Sequence, residues 1–463
     1  MEPKAYLYND LIKITGFNNH IESMLSRLLT YTDKSKEYQL RRAQRNRFFT
    51  RDLIEQLSQE VNGCLLENNG QELIVPSGFF NDVLDLIKDY EDRRHDTGKI
   101  VPLPWASSTY SFQLRPYQEE AVEAAVNNWR GIVNFATGLG KTKTAIGLIR
   151  RLKRKTLVVC PNRSIANQFY AELVAAFGAH QVGFVGDGKY KPSTITVGIA
   201  KSVVNKLDKI KKEWDLGMVI VDEVHRIAAT TFFSIAKELS GVGRFYGLSA
   251  TAYRSDGKDV FIHAGCGPIL VERDVKWGVA NGWLAKPIFI MRKIITGAKD
   301  YKDDKLKNYK AHVLRSDITN QRIIADAKAF IANGKQTLIL VDQIEHGRYL
   351  ADTLEIPFAT GEDGNADELI EDLNSRKIIG LIATDGVVGE GVDTRTVEVL
   401  ILANFIAAKG AVMQAVGRAL RIVDNKTSAI ILDYDLVDST MLHRHAGQRL
   451  KIYKDITKDV KLL

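Results

Sequence analysis

The sequence predicts an α/β protein in which two parallel-sheet domains follow one another, preceded by a small α+β domain. Two alternations of apolar runs and one change of character carry that expectation. From Phe112 to about Val275 the runs Ile132-Val-Asn-Phe135, Thr156-Leu-Val-Val-Cys160, Ile195-Thr-Val-Gly198, Met218 to Val221 and Phe245-Tyr-Gly-Leu248 alternate with helical patterns. Short β-rich runs spaced by helix-length segments are the rhythm of a parallel sheet. The alternation restarts near Gln336 with Thr337-Leu-Ile-Leu-Val341, Ile378-Ile-Gly-Leu-Ile-Ala383, Val397-Glu-Val-Leu-Ile401 and Ala429-Ile-Ile-Leu432. The first hundred residues lack this rhythm.

Taken in order, Lys4 to Gly16 reads as a hairpin, Asn19 to Leu29 as a helix, and Glu67-Asn-Asn-Gly70 as a turn between apolar runs. Glu91-Asp-Arg-Arg-His-Asp-Thr-Gly98 with Pro102 and Pro104 reads as the exit linker of this small domain. A hinge is expected near Gly282 to Pro287, and Met441 to Tyr453 is expected to form a short helical tail. The expected domains are residues 1–105 (accessory, nucleic-acid-binding), 106–285, 286–440 and the tail 441–463.

At 463 residues the chain is too long for one ordinary core, and 45% hydrophobic content supports several. A formal charge of +8 favours an anionic partner, nucleic acid first. Cys64, Cys160 and Cys266 are odd in number and too scattered for a metal site or a disulfide framework, which points to a reducing compartment. No apolar run reaches membrane-spanning length, and Met1-Glu-Pro-Lys-Ala-Tyr lacks the pattern of a secretory signal. A cytoplasmic protein without a membrane partner is expected, in the host cytoplasm if the source is viral.

A phosphate loop and a distant arginine segment predict a split ATP site, and a strand ending in carboxylates joins them. In Phe135-Ala-Thr-Gly-Leu-Gly-Lys-Thr142 the backbone from Thr137, Gly138, Leu139 and Gly140 can wrap phosphates at a helix N-terminus. Lys141 then reaches the β and γ phosphates, and the Thr142 hydroxyl can ligate Mg²⁺. Phe135 stands where such loops usually begin with glycine. Met218-Val-Ile-Val-Asp-Glu-Val-His225 reads as a buried strand ending in two carboxylates. Asp222 is placed to hold Mg²⁺ and Glu223 to accept a proton from the attacking water. Far along the chain, Gln414-Ala-Val-Gly-Arg-Ala-Leu-Arg421 sets Gln414, Arg418 and Arg421 at helical spacing on one side. Arg421 is expected as the principal finger on the transferred phosphoryl group, with Arg418 beside it.

With these motifs placed, the chain resembles superfamily 2 DNA helicases and translocases over roughly Leu114 to Asp435. The resemblance implies two tandem RecA-like motor domains, ATP and Mg²⁺ as cofactors, and DNA as partner. Leu114-Arg-Pro-Tyr-Gln118 resembles the adenine-reading element, with Arg115 and Gln118 on the nucleotide; a helix starting at Pro116 accounts for the same residues. Val159-Cys-Pro-Asn-Arg-Ser-Ile-Ala-Asn-Gln168 and Thr196-Val-Gly-Ile-Ala-Lys-Ser202 sit where the family contacts the nucleic-acid backbone, which implies roles for Arg163 and Lys201, although Ile199 and Lys201 replace the family's usual types. Gly247-Leu-Ser-Ala-Thr-Ala252 resembles the coupling motif, implying that Ser249 and Thr251 join His225 in linking hydrolysis to movement. Ile382-Ala-Thr-Asp-Gly-Val-Val-Gly-Glu-Gly-Val-Asp393 resembles the motif that touches nucleic acid through Thr384 and nucleotide through Gly391 and Asp393.

Leu248-Ser-Ala-Thr-Ala-Tyr-Arg-Ser-Asp-Gly257 is similar to the pattern of duplex-DNA translocases, with Ala252 in place of their proline. The layout most resembles phage branch-migration helicases of the UvsW type, which implies work on forks and four-way junctions in replication, recombination or repair. Arg41-Arg-Ala-Gln-Arg-Asn-Arg-Phe-Phe-Thr-Arg51 offers Arg41, Arg42 and Arg45 to branched DNA, and equally describes a solvated face with two core aromatics. The same motor motifs serve nuclease-coupled restriction motors and RNA helicases. The first hundred residues show no clustered nuclease carboxylates, and little chain follows the motor to hold a nuclease.

Overall fold

The computed structural model describes residues 2–45, 55, 58–107, 112–227, 229–250, 257–301, 304–389, 394–405, 408–423 and 426–463, without the side chains of Arg42, Arg45 and Val388. The chain divides into two compact units. Met1–Phe135 and Gly140–Glu272 form the first; Ala136–Leu139 and Arg273–Leu463 form the second.

The first unit begins with a five-stranded sheet in the order Glu67–Asn68, Glu72–Pro76, Leu11–Thr15, Lys4–Leu7, Tyr90–Asp92. Leu11–Thr15 and Glu72–Pro76 alternate half-buried and buried residues, so one face is sealed by Ile12, Ile14, Leu73 and Val75. The helix Asn19–Leu29 closes that face because Ile21, Leu25 and Leu29 recur every fourth residue, and Asn18 caps it by accepting from the Ile21 N–H at 3.0 Å. The expected hairpin, helix and turn of this domain are all present.

The eight-stranded sheet follows in the order Lys189–Lys191, Val182–Gly186, Ile195–Ile199, Thr156–Cys160, Met218–Val221, Arg244–Ser249, Arg130–Phe135, Ile269–Arg273. The six strands from Val182–Gly186 to Arg130–Phe135 are joined by parallel pairings. Thr156–Cys160, Met218–Val221 and Arg130–Phe135 are buried at every residue, as a sheet covered on both faces requires. Arg130, 8% exposed, fastens the small domain to this sheet: its guanidinium donates to the carbonyls of Asn9 at 2.6 Å, Gly265 at 2.8 Å and Ser240. Asn9 adds bonds to the carbonyls of His95 and Gly241.

The second unit carries a seven-stranded sheet in the order Phe358–Ala359, Gly380–Thr384, Thr337–Val341, Val399–Ala403, Ser428–Leu436, Lys286–Ile294, Val460–Leu462. Its pairings are parallel. Lys286–Ile294 starts inside the segment expected as a hinge. Pro287 is tolerated there because Val460–Leu462 pairs only with Phe289–Met291, leaving the proline at an uncovered edge. The C-terminal segment is a helix, Thr440–Ile456, and then the edge strand. Arg449 and Asp433, 1% and 0% exposed, bond at 2.7 Å and root the helix on Ser428–Leu436, with Tyr453 donating to Asp433 at 2.8 Å. No described helix is long and apolar enough to cross a membrane.

Candidate nucleotide site and nucleic-acid contacts

Three motifs meet because three neighbouring parallel strands end together. Arg130–Phe135 leads into the phosphate loop, Arg244–Ser249 lies beside it with Ser249 level with Asn134, and Met218–Val221 comes next with Val221 level with Gly247. Ligand crevices in parallel α/β sheets form at these carboxyl ends. Gly140 N-caps the helix Lys141–Leu152 in the left-handed region, φ 79 and ψ 46, a conformation that glycine adopts without penalty. A Cβ there would stand 2.3 Å from Gln118 Nε2.

Gln118 is 2% exposed, and its amide is spent internally: Oε1 accepts from the Arg115 N–H at 2.9 Å and Nε2 donates to the Gly140 carbonyl at 3.4 Å. It braces the phosphate loop against the helix Pro116–Val126. Arg115 is the N-cap of that helix and donates to the Tyr117 hydroxyl at 3.0 Å.

The Lys141 ammonium lies 2.9 Å from Glu223 Oε1, with side chains 10% and 14% exposed. Glu223 takes φ 44, where a non-glycine residue costs about 1–2 kcal/mol, and this turn aims its carboxylate back at the lysine. Burial pushes the Asp222 carboxyl up, and the neighbouring Glu223 charge pushes it further. Burial acts on Glu223 in the same sense, but Lys141, His225 and Arg226 outweigh it and hold that carboxyl below the ordinary range. His225 Nδ1 is 2.7 Å from the Ser249 hydroxyl and 3.5 Å from Glu223 Oε2. Carboxylate strand and Ser249 strand are therefore bridged by one imidazole.

The residues present fit a magnesium nucleotide. Gly138 and Gly140 present backbone at φ 92 and 79, and Glu223 Oε2 is buried with no hydrogen-bond partner among the described residues. Thr142 and Asp222 supply hard oxygen donors. No group of three or more metal-binding side chains occurs among the described residues.

Within the second unit, Thr137 and Gly138 lie against the arginine segment. A Cβ on Gly417 would stand 3.0 Å from Thr137 Cβ, and one on Gly138 would stand 3.2 Å from Arg421 Cγ. The arginine segment differs from expectation in one respect. Its helix is Lys409–Ala419, carrying Gln414 and Arg418, and Arg421 follows the C-cap Leu420 rather than sharing a helical face. Leu420 leaves the helix at ψ 5 because its carbonyl accepts from the Ala285 N–H at 2.7 Å, just before Lys286–Ile294 begins. Arg418 is buried and Arg421 half-buried.

The expected nucleic-acid contacts also sit at strand ends. Arg163 opens the helix Arg163–Phe177 after Thr156–Cys160, is exposed, and pairs with Asp187 at 2.9 Å. Lys201 is exposed in Ala200–Val204, after Ile195–Ile199. Thr384 ends Gly380–Thr384, half-buried, and the next residue, Asp385, accepts from Asn404 at 2.6 Å. Arg41 is exposed on the helix Lys34–Arg45 and pairs with Glu37. Thr251, Gly391 and Asp393 lie outside the described residues, as do the side chains of Arg42 and Arg45. Sequence reasoning missed the Asp187 and Asn404 partners and the bracing role of Gln118; the Asp187-Gly188 turn was the one local signal.

A family model described as "Type III restriction enzyme, res subunit" matches residues 111–254. The probable helicase D10 of Escherichia phage T5 is 29% identical over 70% of this chain and 71% of its own length. The ATP-dependent DNA helicase uvsW of Enterobacteria phage T4 is 24% identical over 73% of this chain and 71% of its own. The chain belongs to the superfamily 2 helicases. Helicases of this superfamily hydrolyse ATP and act on nucleic acid. The chain spans only 52% of the putative Rad25 helicase of Halobacterium salinarum, with 26% identity over 66% of this chain. A fragment of a putative type I restriction HsdR subunit from Vibrio vulnificus shares the fold, with a TM-score of 0.57, 19% identity, and coverage of 74% of this chain and 67% of that one.

Proposed function

We propose that this helicase is a DNA motor that remodels branched DNA, forks and four-way junctions, using an ATP site completed by residues from both units. The observation that carries the ATP site is the Lys141–Glu223 pair at 2.9 Å on the strand ends beside the phosphate loop. In this reading Thr142 and Asp222 hold Mg²⁺, which would offset phosphate charge. Lys141 shifts its ammonium toward phosphate oxygens, and Glu223, relieved of that partner, takes the proton of the attacking water. With the lysine drawn to phosphate, the charge that chiefly holds this carboxyl down is withdrawn and its proton affinity rises, as a general base requires. His225 bonds Ser249 and stands 3.5 Å from the Glu223 carboxylate, so a change of charge on Glu223 would be felt electrostatically at the coupling segment that includes Thr251.

The tip of the phosphate loop, Ala136–Leu139, groups with the unit that carries Arg418 and Arg421. The order of the motifs supports roles for these arginines and Gln414 around the nucleotide, joined by Gly391 and Asp393, with Arg115 and Gln118 at the base end. Arg163, Lys201 and Thr384 would meet backbone phosphates, giving sequence-independent, salt-sensitive binding. The branched substrate is favoured by the exposed basic helix Lys34–Arg45 on the small domain and by the similarity to the uvsW helicase. The test is ATP turnover stimulated by single strands, linear duplex, forks, four-way junctions and RNA. Strongest stimulation by junctions or forks supports the reading. Equal stimulation by linear duplex favours a restriction-type motor, and preference for RNA overturns the DNA assignment.

A further inference from the structure

The arginine-bearing helix is anchored on the segment that leaves the coupling motif. Asp33 caps Lys34–Arg45, accepting through Oδ1 from the Ser35 and Lys36 N–H groups at 3.0 and 3.2 Å. Its other oxygen, Oδ2, takes the Lys258 ammonium at 2.6 Å, with side chains 6% and 19% exposed. One residue earlier on each strand of this contact, the backbones touch. Gly257 has φ 77, and a Cβ on it would stand 2.5 Å from the Thr32 carbonyl oxygen, so only glycine lets the small domain approach. One residue further back, the Tyr31 ring packs on Phe261 with centroids 4.7 Å apart, and Phe233 meets Phe261 edge-on at 4.9 Å. Tyr31, Thr32 and Asp33 thus engage Phe261, Gly257 and Lys258 by three different kinds of contact.

The other end of that segment is Ser249, bonded to His225 at 2.7 Å and through it close to Glu223. Only eight residues of chain lie between Ser249 and Lys258. The partly buried Asp33–Lys258 pair thus joins the cap of the arginine helix to the stretch of chain that follows Ser249, and neither the ATP site nor the phosphate contacts use it.

We propose that Asp33 and Lys258 are positioning residues that tie the arginine helix to the coupling segment, so that nucleic acid held by the small domain sets the rate of ATP turnover. The inference rests in part on the reading that Lys34–Arg45 grips branched DNA. Asp33→Asn keeps an oxygen to cap the helix and removes the charge; Lys258→Met removes the opposite charge; Lys258→Arg keeps the pair. With forked DNA saturating, Asp33→Asn and Lys258→Met are each expected to lose at least about fivefold of the DNA-stimulated turnover, the lower end of a coupling between sites. DNA-free turnover and melting temperature stay at wild-type values, the double variant is no worse than either single one, and Lys258→Arg restores stimulation. Full stimulation in Lys258→Met, or additive losses in the double variant, overturns the proposal. Arg41→Glu separates it from the reading beneath: normal fork affinity in that variant with impaired Lys258→Met removes the grip and keeps the tie, whereas weak affinity with normal Lys258→Met removes the tie and keeps the grip.

Discussion

Gly140→Ala tests the phosphate loop through its backbone rather than through its charges. Gly140 holds φ 79, where an L side chain costs about 1–2 kcal/mol. The added methyl would stand 2.3 Å from Gln118 Nε2. Gln118 must therefore withdraw from its bonds to Arg115 and Gly140, together about 1–2 kcal/mol. The loop's phosphate-holding shape is penalised by about 3 kcal/mol, which corresponds to about 10²-fold weaker nucleotide binding. Titration with a fluorescent ATP analogue measures this directly. Gly70→Ala is the matched control: φ is 88 there too, but nothing lies within 4 Å, so it carries strain without the clash and leaves nucleotide affinity unchanged. Wild-type affinity in Gly140→Ala would refute the bracing of the loop by Gln118.

Other expectations follow from the same geometry. Lys141→Ala and Glu223→Gln should each abolish ATP turnover while circular dichroism and melting remain those of a folded protein; turnover at the wild-type rate in either would reject its role. Charge reversal at Arg42 and Arg45 should weaken fork binding in a mobility-shift titration more than it slows DNA-free hydrolysis, and unchanged fork affinity would leave that helix as a solvated face. His346 is buried, with Nδ1 accepting from the Tyr309 hydroxyl at 3.2 Å and Nε2 donating to Asn320 Oδ1 at 2.9 Å; the Asn320 amide nitrogen is fixed on the Val313 and Leu314 carbonyls, which settles this tautomer. Burial pushes the imidazole down to about 4. A depressed folded value means its contribution is present above pH 6.5 and is lost as pH falls toward 4. Between pH 7 and 4.5 the stability advantage of wild type over His346→Gln should shrink by about 2.5 kcal/mol in urea unfolding; parallel pH profiles would contradict the neutral, buried assignment.

Strands were legible where burial on both faces makes sequence monotonous: Thr156–Cys160, Met218–Val221 and Thr337–Val341 coincide with their apolar runs. Lys286–Ile294 was missed because Pro287 and the polar residues around it imitate a hinge, and its buried residues only alternate with half-exposed ones instead of forming a continuous apolar run. The phosphate loop and carboxylates were legible since their chemistry lies in consecutive residues. The position of Arg421, two residues past the end of its helix, was not, because the bond from Ala285 that stops the helix comes from a distant segment. Neither were Asp187 beside Arg163 nor Asp33 beside Lys258, pairs whose members are far apart in sequence and single in their local patterns.

Closure of the two units on one nucleotide is the claim on which the rest depends. Nitroxides at the exposed positions Lys237 and Glu371, one on each unit, allow pulsed dipolar spectroscopy to read their separation. With a phosphoryl-transfer transition-state analogue the distance distribution should shorten and narrow, and Arg421→Ala should bind the analogue yet keep the broad distribution and hydrolyse ATP poorly. An unchanged distribution in the wild-type protein, or full closure and normal hydrolysis without Arg421, would contradict a pocket built from both halves.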